Sequence, residues 1–130
     1  MSEDLAAAYW QEFAERNALR TGTKEQKLEY QTRVFPVEDG IATRIDDDDP
    51  ALLADMISIA EAAPDDESRG MFGAGILWEY LYNTSDKNAA AIADAAKNHG
   101  AFLDALRAAF AGWDGLGSSM KQNLKPLLDG

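Results

Sequence analysis

Apolar residues three and four positions apart, in blocks separated by short polar breaks, constrain this chain more than any other feature. Leu5, Tyr9 and Phe13 follow that spacing in the first block, and the spacing returns in later blocks. An amphipathic α-helix produces this pattern. The sequence therefore predicts one all-α domain over residues 1–130, with helices at about residues 4–19, 24–33, 49–63, 65–82, 88–97, 101–111 and 118–128.

Residues that commonly cap helices support several of these boundaries. Thr23 and Gln26 fit a capping box at the start of the second helix. The Asp49-Pro50 dipeptide supplies an N-cap and a first helical residue for the third. Asp65 or Asp66 can begin the fourth helix in the same way.

The short breaks make successive helices antiparallel neighbours. Pairing 49–63 with 65–82, and 86–97 with 100–111, would resemble layers of a short solenoid-like array of six or seven helices. An irregular bundle is the equal alternative, because no repeat of fixed period is visible.

Two segments fit the helical pattern less well. Val34 to Val37 is a short apolar stretch followed by a turn signal at Glu38-Asp39-Gly40, and this favours extended backbone. A two-stranded ribbon that also uses residues 41–45 stays open. Near the end of the chain, Pro126 is expected to disrupt the final turn of the last helix.

The helix predicted over 65–82 carries two unusual features. Gly73 and Gly75 weaken a helix, and such glycines usually allow another helix to pack closely. Trp78 and Leu81 share the predicted inward face, whereas Tyr80 points elsewhere. Tyr80 can therefore lie at the surface, where tyrosine often anchors a protein partner, and it is included among the predicted binding residues. A tyrosine packed against the next helix is the alternative, and it is the more frequent arrangement.

The charge is concentrated in about one quarter of the sequence. The net charge is −11, and 11 of the 23 acidic residues lie between Glu38 and Arg69, where the only basic residues are Arg44 and Arg69. A chain this acidic repels nucleic acid and anionic lipid and attracts a protein partner with a basic surface. The residues predicted to bind that partner are Asp46, Asp47, Asp48, Asp49, Asp65, Asp66, Glu67 and Tyr80.

The same acids can serve other purposes. Asp46 to Asp49 can bind a hard cation, but the spacing and glycine of an EF-hand loop are missing. Acids at helix starts also act as caps and oppose the helix dipole, and this reading applies equally to Asp65, Asp66 and Glu67. No metal, cofactor or catalytic residue is predicted. His99, the single histidine, follows a helix and meets its dipole favourably.

Composition points to the cytoplasm. The chain has no cysteine, so disulfides and cysteine-ligated metals are excluded. Its first residues lack the basic and apolar regions of a signal peptide. No apolar stretch approaches the 18 residues or so that span a bilayer, so no membrane partner is expected.

Three stretches resemble a small family of bacterial all-helical domains. They are Asp48-Asp49-Pro50, the turn at residues 62–66, and the segment at residues 74–81, and the later run from Phe102 to Trp113 also fits. Ile76 stands where the family usually has proline. The resemblance spans residues 47–116 and implies an all-helical fold. It implies no activity, because the family has none assigned.

These features favour a binding protein over an enzyme. The leading hypothesis is an immunity protein that neutralises a bacterial toxin through protein–protein contact. An adaptor or secretion chaperone that binds a client segment is one alternative. A nucleic-acid mimic that blocks a DNA- or RNA-binding protein is another.

Overall fold

The computed structural model describes residues 2–84, 86–109 and 118–129. Within them the all-α prediction is confirmed, since the described residues contain no strand. The helices are α1 (Ser2–Arg20), α2 (Lys24–Thr32), α3 (Pro36–Asp46), α4 (Leu52–Glu61), α5 (Asp66–Phe72), α6 (Trp78–Asn83), α7 (Ala89–Asn98), α8 (Gly100–Ala109) and α9 (Ser118–Asp129). A π-helical turn, Gly73–Leu77, joins α5 to α6, and a 3₁₀ turn, Asp86–Asn88, precedes α7. No helix in the described part is long and apolar enough to cross a membrane.

Helix α8 occupies the centre of the fold. It packs against α4 on one side and against α5 and the π-helical turn on the other, while α1 covers α4 and α9 covers α7. In a solenoid each layer contacts only its neighbours in sequence. Here α4 instead packs on α1 and α8, and its direct contacts with α5 are sparse. The arrangement is therefore an irregular bundle.

The π-helical turn lets α8 approach closely. A Cβ atom at Gly73 would fall 2.9 Å from the carbonyl carbon of Ala105 on α8, and closer still to its oxygen. Gly75 has no other atom within 4 Å of such a position and is exposed. Of the two glycines predicted to permit close packing, only Gly73 does so.

Helix α3 corrects the prediction of extended backbone at Pro36 and Val37 and of a ribbon that uses residues 41–45, whereas Val34 and Phe35 precede the helix. Phe35 provides no side-chain cap, and Pro36 begins the helix without an N–H group to satisfy. The buried carboxylate of Glu12, on α1, accepts hydrogen bonds from the backbone N–H groups of Val37 and Glu38 at 2.8 and 2.9 Å. Arg16 adds an ion pair with Glu38 at 2.6 Å. Helix α3 is thus capped from another helix.

Other helix ends follow the sequence with small shifts. The capping box of Thr23 and Gln26 is confirmed. Asp49 lies in the turn before α4, which begins at Leu52 rather than at Pro50. Helix α9 continues past Pro126 to Asp129, so the expected break before its last turn does not occur.

Replacing Gly73 by alanine should push α8 away from the π-helical turn. Because the clash is with backbone, we expect the free energy of unfolding to fall by about 2–3 kcal/mol. Gly75→Ala is the matched control, and it should gain up to about 1 kcal/mol from helix propensity. Chemical denaturation measures both, and equal stability of the two variants would contradict the close approach.

Removing the carboxylate of Glu12 should weaken α3. Glu12→Ala leaves two N–H groups without their acceptor, which costs about 1–3 kcal/mol for each such buried group. Glu12→Gln keeps one acceptor oxygen and should lose less. Glu15→Ala, which breaks only an exposed pair with Arg33 at 3.0 Å, should cost at most about 1 kcal/mol. Denaturation curves that rank Glu15→Ala as the most damaging would disprove this cap.

Candidate functional site

The first acidic group, Asp46 to Asp49, lies between α3 and α4. Its members differ in what they touch. Asp48 has a left-handed backbone (φ 50°), and its carboxylate accepts a hydrogen bond from the hydroxyl of Thr84 at 3.1 Å. The side chains of Asp46 and Asp47 are exposed and make no hydrogen bond or ion pair among the described residues. Two of the four are therefore free to meet a partner.

Asp49 is held by an ionic clamp. Its carboxylate accepts a hydrogen bond from the backbone N–H of Ala51 at 2.9 Å and another from Arg44 Nε at 2.8 Å. The same guanidinium donates to the buried Asp55 at 2.6 Å. The bond from Ala51 N–H, and then that from Arg44, holds the pKa of Asp49 below its usual 3.8. Asp49 and Asp55 thus stabilise the start of α4 instead of facing a partner.

The second acidic group, Asp65 to Glu67, begins α5. Asp65 accepts the backbone N–H of Ser68 at 2.7 Å, so its predicted cap is confirmed, and that bond lowers its pKa. Asp66 pairs with Arg69 at 2.7 Å, yet its side chain is 99% exposed. Glu67 is exposed and has no pair among the described residues. Asp66 and Glu67 are therefore the accessible charges of this group.

The two acidic groups lie at opposite ends of α4. The first precedes Leu52, and the second follows Glu61 after a short turn. Ten residues of α-helix rise roughly 15 Å. Since screening at physiological salt acts over about 8 Å, the groups form two separate negative patches instead of one continuous rim.

Between these patches, α4 presents an outer face with little charge. Leu53, Ala54, Ile57, Ser58 and Glu61 follow helical spacing on that face and are exposed or half-buried, and Glu61 is the only ionisable residue among them. The opposite side of α4 is buried against α1 and α8. The face is thus a weakly charged strip with an acidic patch at each end.

A groove continues this face onto α1. It has a volume of about 470 Å³ and is lined by Ala6, Ala7, Trp10, Ser58, Glu61 and Ala62. Alanine and serine side chains leave the space open. Trp10 is buried, and its indole N–H donates to the carbonyl of Ile59 at 2.7 Å, which holds α1 against α4. We call this feature the α1–α4 groove.

Tyr80 does not form part of an exposed site. Only 5% of it is exposed, and burial raises the pKa of its phenol above 10. The prediction of a surface Tyr80 is therefore wrong, and the packed alternative applies. Tyr82 is instead 53% exposed, and its ring stacks on Trp78 at 4.9 Å between centroids.

His99 and the acids form no metal centre in the described part of the chain. His99 follows α7, as predicted, and its Nδ1 lies 3.3 Å from Glu61 Oε2. No group of three or more histidine or acidic side chains among the described residues is placed to hold a metal ion.

Sequence reasoning missed the α1–α4 groove and the Arg44 clamp. The groove has a faint signal, since small residues recur at Ala6 and Ala7 and again at Ser58 and Ala62. Which helices would face each other was not evident from that signal. The Arg44 clamp also has a signal in the sequence. Arg44 is one of only two basic residues between Glu38 and Arg69, and a base among so many acids favours an ion pair within the chain.

The Arg44 clamp makes the free energy of unfolding depend on pH in the acidic range. The folded pKa of Asp49 is lower than its unfolded value, so its stabilisation is present above about pH 4 and is lost as pH falls through the folded pKa. Asp49→Asn should therefore lose less unfolding free energy than the wild type between about pH 4 and 2.5. Asp46→Asn is the control and should keep the wild-type slope. Urea denaturation across this range measures the difference, and parallel slopes for all three proteins would contradict the clamp.

Comparison with known proteins gives no second source of inference. No protein-family model, no curated protein and no solved structure matches this chain. The resemblance to a family of bacterial helical domains stays a prediction, and its final residues, up to Trp113, lie outside the described ranges. The residues of the site itself are therefore the basis for the proposed function.

Proposed function

We propose that this protein is a small acidic binding protein that inhibits a basic partner, as an immunity protein neutralises a bacterial toxin. The observation that carries the proposal is the pair of acidic patches at the two ends of α4, with a weakly charged face between them. Asp46 and Asp47 supply accessible charge at one end, and Asp66 and Glu67 at the other.

The spacing of the patches suits one partner. A standard protein–protein interface buries roughly 800 Å² on each side, a patch roughly 28 Å across. One partner can therefore cover both acidic groups, which α4 holds roughly 15 Å apart. Interfaces of this kind commonly combine a less polar centre with a charged rim.

The charge would act first on the rate of association. Negative patches attract a basic surface over a distance and orient it before contact, which raises the association rate most strongly at low salt. The basic surface of a nuclease is the cleft that binds nucleic acid. An acidic protein seated on that cleft would exclude the nucleic acid, so we propose a nuclease toxin as the partner class.

Identification of the partner is the first experiment. The full chain serves as bait in its native host, and the product of the adjacent gene is tested directly, since inhibitors are often encoded beside their targets. Tight one-to-one binding to a basic nuclease, with loss of its nucleic-acid hydrolysis, is expected. Recovery of many unrelated clients would replace the proposal with an adaptor or secretion chaperone.

Neutralising the accessible charges tests the role of the patches. Asp46→Asn, Asp47→Asn, Asp66→Asn and Glu67→Gln, combined, should lower the association rate constant about tenfold at low salt and flatten its salt dependence. Stopped-flow measurements with the captured partner provide the readout.

The matched control removes charge elsewhere. Glu25 on α2 and Asp94 on α7 are exposed acids outside both groups. Glu25→Gln combined with Asp94→Asn should change the association rate constant less than twofold. The matched comparison is a variant that neutralises only Asp46 and Asp47, or only Asp66 and Glu67, because each of these also removes two charges. Equal slowing by this control would mean that net charge, and not the patches, governs binding.

A further inference from the structure

We infer that the α1–α4 groove receives a helix of the partner, one with an apolar face and basic residues near both ends. This inference rests on the proposed function and specifies how the partner is recognised. The groove encloses about 470 Å³ of open space, which is within the range of ligand-binding pockets.

The groove is shaped for a helix. It runs between two packed helices, and the side chains that line it are mostly alanine and serine. Helix axes approach to about 8–10 Å only where the contact side chains are small enough. Ser58 on α4 and Ala62, the residue that follows α4, lie four positions apart, so they form one ridge beside which a third helix can pack.

The floor of the groove is rigid. Trp10 is only 8% exposed, and its indole N–H is fixed to the carbonyl of Ile59 at 2.7 Å. A fixed aromatic floor offers apolar contact without a cost in side-chain entropy, as binding anchors do.

Charge complementarity selects the occupant. Among the described side chains, Glu61 is the only ionisable one that lines the groove. The groove meets α4 at residues 58–62, close to the second acidic group, and the outer face of α4 leads from there to the first. The centre of the occupant must therefore be apolar and its flanks basic. Since a helix rises roughly 1.5 Å per residue, basic residues about ten positions apart would reach both groups.

A designed peptide tests this occupant. The probe is a capped, alanine-rich helical peptide of about 16 residues, with leucines along one face and two lysines near each end. Titration into the isotopically labelled full chain should shift the Trp10 indole and Ser58 amide resonances saturably. A peptide with glutamates in place of the lysines should bind at least tenfold more weakly.

Variants locate the binding in the groove. Ala7 is exposed and lines the groove, whereas Ala90 is exposed on α7, which does not. Ala7→Phe should raise the Kd for the lysine peptide at least tenfold, and Ala90→Phe should change it less than twofold. Ser58→Phe fills the groove from its other wall and replaces Ala7→Phe if that variant does not fold.

Two results would overturn the inference: no saturable shift at about 1 mM lysine peptide, or equal affinity of wild type and both filled-groove variants. The natural partner separates this failure from that of the proposed function. If charge neutralisation weakens binding of the natural partner while Ala7→Phe does not, the groove is not the binding site, and the acidic patches remain the proposed contact. If the groove binds the lysine peptide but no basic partner is inhibited, the proposed function fails alone.

Discussion

The close approach of α8 to the π-helical turn is the contact on which the rest of the fold depends. Only a glycine at position 73 leaves room for the backbone of Ala105. With α8 seated there, its other side is available to α4, and α4 is separated from the helix that follows it in sequence. Helix α1 packs beside α8 on the buried side of α4 and leaves its outer face open, and the α1–α4 groove lies where α1 meets the end of that face.

That arrangement also decides where the charge lies. If α4 and α5 had packed as an antiparallel pair, they would have formed one layer of a solenoid-like array. In the bundle, the first acidic group reaches Thr84 beyond the end of α6, and the second begins α5. The helical path from Asp66 to Asn83 is roughly 25 Å long, so the groups are kept apart by α4 and by this second helix as well.

Local signals in the sequence predicted most helices, and tertiary contacts explain the failures. Thr23 and Gln26 cap α2 within one turn, so that boundary was predictable. The cap of α3 comes from Glu12, 25 and 26 residues before the N–H groups it satisfies, and no local pattern contains it. The prediction for Tyr80 is wrong because it places Trp78 on the inward face. Ile76, Leu77, Tyr80 and Leu81 are buried together at ordinary helical spacing, and Trp78 is only half-buried.

The difference between local signals and tertiary contacts also limits how far a binding site can be predicted from the charges in a sequence. Asp46 to Asp49 are four identical side chains in sequence, yet Asp48 joins the corner at Thr84 and Asp49 closes the Arg44 clamp. Only the first two remain for a partner. A half-buried carboxylate that is paired with a base, as Asp49 is with Arg44, is already compensated and adds little to steering, whereas Asp48 meets only neutral groups and keeps its charge. The proposed recognition therefore depends less on the net charge of −11 than on the few carboxylates that the fold leaves exposed at each end of α4.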